Sequence, residues 1–185
     1  MAIWVIRHGE TAWSLSGQHT GWADIPLTEH GREQAKGLSK RLQGHKFALV
    51  LVSPLQRAAE TCRLAGFTNA QNEPNLREWN YGAYEGKTRE QIVAARPDWD
   101  LWRDGVEGGE RIEETAARAD RVIERVEGIQ GDVALFAHGH ILRILASRWL
   151  GLAPQNARLF ALETAAIGIL GHERETRVLR GWNVG

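Results

Sequence analysis

Three short apolar runs interrupt an otherwise mixed chain: Ile3-Trp4-Val5-Ile6, Leu49-Val50-Leu51-Val52 and Val133-Ala134-Leu135-Phe136-Ala137. Runs of this length, unalternated and bounded by polar segments, read as strands buried on both faces. Between them the apolar period changes to that of a helix. Ile112, Ala116, Ala119, Ile123 and Val126 lie on one stripe and predict a helix over about 111–127. Ala35, Leu38 and Leu42 predict another over about 29–43, with Thr28 as its cap. Ser53 as cap and Pro54 at the first helical position predict a helix over 54–65, stopped by Gly66. Thr88 and Gln91 form a capping-box pattern for a short helix ending before Pro97. A further helix is expected over about 140–150, closed by Gly151, and a short strand over 72–76.

The tail changes character. Segments 158–163, 165–170 and 177–182 are strand-like with no helix between them, so antiparallel strands should extend a mostly parallel sheet. The pattern predicts an α/β fold of three layers, α/β/α. It also predicts a single domain over 1–185, with a polar loop over 9–26 and a lid-like excursion at about 77–111.

The chemistry gathers at the ends of the apolar runs. The first is followed at once by Arg7-His8-Gly9-Glu10-Thr11 and the last by His138-Gly139-His140. Open α/β sheets carry their sites beyond the carboxyl ends of parallel strands. Two strand-end histidines, in sheet positions open to being neighbours, therefore make a candidate reaction centre. Ser53-Pro54-Leu55-Gln56-Arg57 follows the middle run, which puts Arg57 in a first helical turn. Arg7, Arg57 and a helix N-terminus suit an anion, most naturally a phosphoryl group. A neutral imidazole is a competent nucleophile towards phosphorus. Glu78 stands beside Trp79 and Tyr81, an aromatic setting expected to raise a carboxyl pKa, and is the candidate acid for the leaving oxygen. Taken alone, Arg57 and Glu78 would read as solvated surface groups, and His19, His30, His45 and His172 as core or surface residues. Glu10 and Glu110 stay open between a supporting and a surface role.

Composition narrows the partners. The 185 residues carry 23 basic and 23 acidic side chains, which argues against nucleic acid or an anionic membrane as the main partner. Cys62 is the only cysteine, so no intrachain disulfide forms, and a cytoplasmic location is expected. No signal-peptide pattern is seen and no apolar run reaches membrane-span length. The eight tryptophans are expected mostly in the core or the lid. His138-x-His140 has no HExxH or cysteine companion to support zinc, and there is no P-loop or GxGxxG, so no metal or other cofactor is expected. A homo-oligomer is compatible with these features.

Five segments together resemble the histidine phosphatase superfamily, also called phosphoglycerate mutase-like. They are the Arg7-to-Thr11 run, Thr20-Gly21-Trp22 with Pro26-Leu27-Thr28, Ser53 to Ala58 with Glu60-Thr61, the Glu78-to-Gly86 run, and Ala137-His138-Gly139-His140. They stand in family order over nearly the whole chain. The resemblance implies a phosphoglycerate mutase-like fold, with His8 as the phosphorylated nucleophile. It makes Arg7, Arg57 and His138 the phosphoryl ligands and Glu78 the proton donor and later base. Ser14, Gln18, His19, Thr20, Gly21, Tyr81 and Gly139 are the further substrate-binding candidates. The partner would be a small phosphorylated metabolite and the product inorganic phosphate, through metal-independent chemistry. Family mutases resemble one another in being longer between the acid and the second histidine. Here only about 60 residues separate Glu78 from His138, and Ser14 stands where mutases usually carry asparagine. Both departures favour a phosphatase. A bisphosphoglycerate-dependent mutase and a phosphoprotein phosphatase or docking module are the alternatives. Segments 16–21, 76–86 and 99–110 look more specifically like the branch with sedoheptulose-1,7-bisphosphatase and small acid phosphatases, which implies a sugar phosphate or bisphosphate.

Overall fold

The structure, a computed structural model, describes residues 1–184. The strands are β1 (Ile3–Arg7), β2 (Phe47–Val52), β3 (Gln71–Asn72), β4 (Asp132–Ala137), β5 (Ile167–Glu173) and β6 (Thr176–Val184). The helices are α1 (Ala12–Ser16), α2 (Glu29–Arg41), α3 (Gln56–Leu64), α4 (Arg89–Ala95), α5 (Leu101–Asp104), α6 (Ile112–Val126) and α7 (Gly139–Trp149). Three 3-10 turns cover Pro74–Leu76, Gly82–Tyr84 and Pro154–Leu159.

The sheet order is β3-β2-β4-β1-β5-β6. The first four strands in that order run parallel, and β5 and β6 join antiparallel. Each central strand alternates its side chains between two cores, as the pleat requires. Ile3 and Val5 of β1, with Val133 and Leu135 of β4, face α6 and α7. Ile6, Ala134 and Phe136 face α2 and α3, where Leu38, Ala58 and Cys62 are buried. The layers are thus helix, sheet, helix, as the apolar pattern predicts.

Local signals held where they were strongest. The α6 stripe is buried along its length. Thr28 Oγ1 accepts the Gly31 N–H at 2.9 Å, and Thr88 and Gln91 form the reciprocal cap. Cys62 is buried, and desolvation pushes its thiol pKa up to about 12.

Three expectations are corrected. The helix expected from Pro54 begins at Gln56 instead, and Ser53 does not cap it. Asp24, from the preceding loop, accepts the Gln56 N–H at 2.8 Å, and the Ser53 hydroxyl is hydrogen-bonded to His138. Segment 158–163 is no strand. Its carbonyls and those just before it are claimed by side chains: Ala157 and Arg158 by Arg143, Ala161 by Trp182, and Leu162 by Arg7. A ladder there would compete with these bonds for its acceptors. The 72–76 strand shrinks to Gln71–Asn72 and gives way to a turn at Pro74, which cannot donate to a ladder. The tryptophans sit mostly as expected: Trp79, Trp99 and Trp149 are buried, Trp102 packs against the core from segment 77–111, and Trp4 and Trp182 pack half-buried against it.

Candidate active site

β1 and β4 are neighbours, with Arg7 opposite Ala137 in register. The residues that follow, His8 and His138, are therefore brought side by side, their ring centroids 5.2 Å apart. Close packing sets the loop beyond β1. A Cβ on Gly9 would lie 2.3 Å from the Gly31 carbonyl, so only glycine lets that loop meet the start of α2.

His8 is buried, and its Nδ1 lies 2.7 Å from the Gly9 carbonyl. A carbonyl only accepts, so Nδ1 carries the proton and the lone pair is on Nε2. Burial, then the charges of Arg57 and Arg7, hold the imidazole well below the ordinary histidine range. His138 is also held neutral, by burial first and then by Arg57 and His8. Its Nε2 is hydrogen-bonded to Ser53 Oγ at 2.7 Å.

Arg57 is fully buried and not a solvated helix residue. Its guanidinium donates to the carbonyls of Thr20, Gly21 and Ala23. Arg7 donates to the Leu162 carbonyl at 2.6 Å, and burial lowers the pKa of both arginines. Among the described residues four buried side-chain polar atoms have no partner. Three are Arg7 Nε, Arg57 Nε and His138 Nδ1; the fourth, Trp4 Nε1, is on β1.

The Glu78 carboxyl is buried at the N-terminus of α7. Its carboxylate accepts N–H groups from Trp79 (2.9 Å), His140 (3.0 Å) and Ile141 (2.9 Å). Backbone amides hold the carboxylate; of its aromatic neighbours in sequence, Trp79 turns into the core and Tyr81 stands between the core and the cleft wall beside Glu78. Arg118 anchors this segment through the carbonyls of Asn75, Arg77 and Glu78, and pairs with Glu110 at 2.7 Å. Glu110 is therefore a support of the Glu78 segment. Glu10 accepts the Thr28 hydroxyl at 2.7 Å, beside the start of α2.

A cleft of about 650 Å³ opens over His8. Arg7, Ser14, Gln18, His19, Thr20, Glu78, Tyr81 and Gly139 line it, as expected. Three candidates are set back from its open wall. Arg57 and His138 lie buried next to His8, beneath the lining, and Gly21 packs where a Cβ would come within 2.4 Å of the Glu85 carboxylate. No residue of 97–111 lines it either. Sequence reasoning overlooked Arg143, and gave His140 only as a disfavoured metal ligand. Both are in the cleft wall. Helical spacing was the available signal: Arg143 stands four residues after Gly139 and three after His140, on one helix face.

His140 is held neutral too, by burial and then by Arg143. In the unfolded chain all three histidines would protonate near pH 6.5; in the fold they do so only far lower. Their contribution to stability is complete above that pH and is lost as pH falls below it. The slope is at most about 1.4 kcal/mol per pH unit per histidine. The melting temperature of the ligand-free protein should therefore drop steadily from pH 6.5 to 5. A flat profile there would contradict the neutral assignments.

Residues 3–185 match the family model of the histidine phosphatase superfamily, branch 1. The chain belongs to that superfamily. Within it, the chain is 40% identical over 180 residues to an acid phosphatase of Mycobacterium tuberculosis, covering 95% of this chain and 88% of the relative. It is 34% identical over 184 residues to sedoheptulose 1,7-bisphosphatase of Saccharomyces cerevisiae, covering 82% and 68%. A solved structure of an open reading frame product of M. tuberculosis superposes with a TM-score of 0.95 at 37% identity, covering 99% of this chain and 97% of that one.

Proposed function

We propose that this phosphoric monoester hydrolase works through a phosphohistidine on His8 and acts on small esters such as sugar phosphates or bisphosphates. One observation carries the reading. Arg7, Arg57 and His138 each keep a buried polar atom unpartnered beside a nucleophile whose free lone pair is on Nε2. Unpaired buried donors are costly, and a phosphoryl group is a partner that satisfies all three.

In the first step Nε2 of His8 attacks phosphorus and the ester P–O bond breaks. Glu78, protonated on Oε2, which accepts only the His140 N–H, gives that proton to the departing oxygen. With Ser53 donating to His138 Nε2, His138 Nδ1 carries a proton and donates it to a phosphoryl oxygen. In the second step Glu78, now ionised, takes a proton from water. The water oxygen attacks phosphorus, the N–P bond breaks, and its electron pair returns to Nε2 as phosphate leaves. The arginines supply the positive charge that phosphoryl transfer needs, so the chemistry calls for no metal ion.

Rapid quench with labelled substrate tests this. An acid-labile, base-stable phosphate should be trapped in single turnover, and a screen of monoesters should yield inorganic phosphate. Label on Ser53, or no covalent label, would sink the mechanism.

Glu78→Gln separates the acid's role by leaving group. A sugar alkoxide needs the proton and a nitrophenolate scarcely does. Phosphoenzyme formation should slow far more with a sugar phosphate than with p-nitrophenyl phosphate. An amide cannot accept at both ends, so one of the three N–H groups loses its acceptor, at about 1–3 kcal/mol of stability. Equal slowing with both esters would remove Glu78 as proton donor.

A further inference from the structure

The cleft holds more positive charge than one phosphoryl group uses. Arg7 and Arg57 belong to the centre around His8. Arg143 is a third guanidinium in the same wall, four residues along α7 from Gly139 and on the same helix face. Four residues of helix rise span ~6 Å, so Arg143 stands one turn outward from the reacting centre.

The way Arg143 is held leaves it both rigid and uncompensated. Its Nε donates to the Ala157 carbonyl and its Nη2 to the Arg158 carbonyl, each at 3.0 Å. Its guanidinium carbon lies 4.8 Å from the centre of the Trp102 ring. These partners orient the group, yet none carries a negative charge. Among the described residues no carboxylate comes within 4.0 Å of it. Among the described residues Nη1 has no hydrogen-bond partner. A half-buried charge without a counter-ion is expensive unless a ligand supplies one.

His140 lies beside it on the helix, three positions earlier, and also lines the cleft. The Tyr81 hydroxyl occupies its Nδ1. With Nδ1 engaged by the hydroxyl, Nε2 is the one ring nitrogen left for the cleft.

We propose that Arg143 and His140 form a second anion subsite, which binds a phosphate or carboxylate on the part of the substrate that leaves. This rests on the phosphatase reading above and narrows it: the preferred esters carry a second anionic group beyond the one hydrolysed. A charge-assisted hydrogen bond to such a group favours it by about 10- to 100-fold.

The test compares kcat/KM for a hexose 1-phosphate, the matching hexose 1,6-bisphosphate and 3-phosphoglycerate. It is run in the natural protein, in Arg143→Gln and in Arg143→Lys. The natural protein should favour at least one doubly anionic ester over the hexose monophosphate. Arg143→Gln should lower that ratio about 10- to 100-fold, and Arg143→Lys should keep part of it. The ester that loses its advantage identifies the anion as phosphate or carboxylate. A ratio within about twofold of the natural one in both variants would overturn the subsite, as would equal losses on all three esters. Calorimetric binding of the bisphosphate and monophosphate to His8→Ala, with and without Arg143→Gln, reads the same subsite without turnover. An Arg143-dependent preference there supports the subsite even if no ester is hydrolysed, and no such preference overturns it. Failure of the subsite is thus distinguishable from failure of the hydrolase reading.

Discussion

His8→Ala should lower turnover by about 10⁴-fold or more, the scale for deleting a nucleophile that works as part of a set. The change removes the Nε2 lone pair, which the Gly9 carbonyl directs by holding the proton on Nδ1. It leaves Arg7, Arg57 and His138 in place, so phosphate binding should survive while bond-making fails. Single-turnover quench should trap no phosphoenzyme, while calorimetry should still detect phosphate. His138 has a neutral ring 5.2 Å away, but its Nε2 is engaged by Ser53 and it should not substitute. Persistence of an acid-labile phosphoenzyme in the variant would move the nucleophile off His8.

Arg57→Ala should cost about 10²- to 10³-fold in turnover, the usual scale for one transition-state contact. From sequence, Arg57 faces ligand and its loss spares folding; the structure changes that expectation. The buried guanidinium also ties down the carbonyls of Thr20, Gly21 and Ala23, in the loop that forms one side of the cleft. Alanine leaves those acceptors unsatisfied, so a stability loss of about 1–3 kcal/mol should accompany the loss of rate. Arg57→Lys restores the charge without the fork that spans three carbonyls. It should recover part of the rate and little of the stability. Kinetics and denaturant midpoints on both variants check this. Near-normal turnover in Arg57→Ala would remove Arg57 from the phosphoryl site.

The sequence alone determined the features written in local pattern. The apolar runs of β1 and β4 had to be buried, and the His-Gly that ends each had to emerge at the sheet's edge. The period of α6 and the caps at Thr28 and Thr88 needed no distant partner, because a helix satisfies its backbone within itself. The five motif segments added the family and, with it, the roles assigned to His8, Arg7, Arg57, His138 and Glu78.

Tertiary structure decided whatever depends on which distant group claims a hydrogen bond. Pairing Arg7 with Ala137 made the two histidines neighbours, a register no local pattern states. Asp24 and His138 took over Gln56 and Ser53, and so moved the start of α3. Side chains of Arg7, Arg143 and Trp182 consumed the carbonyls that a strand over 158–163 would have needed. The aromatic run around Glu78 was legible as unusual. That two amides of α7 join the Trp79 amide in holding the carboxylate follows only from where α7 begins. Arg143 looked like any helical arginine, because its meaning lies in the carboxylate that no neighbouring element provides.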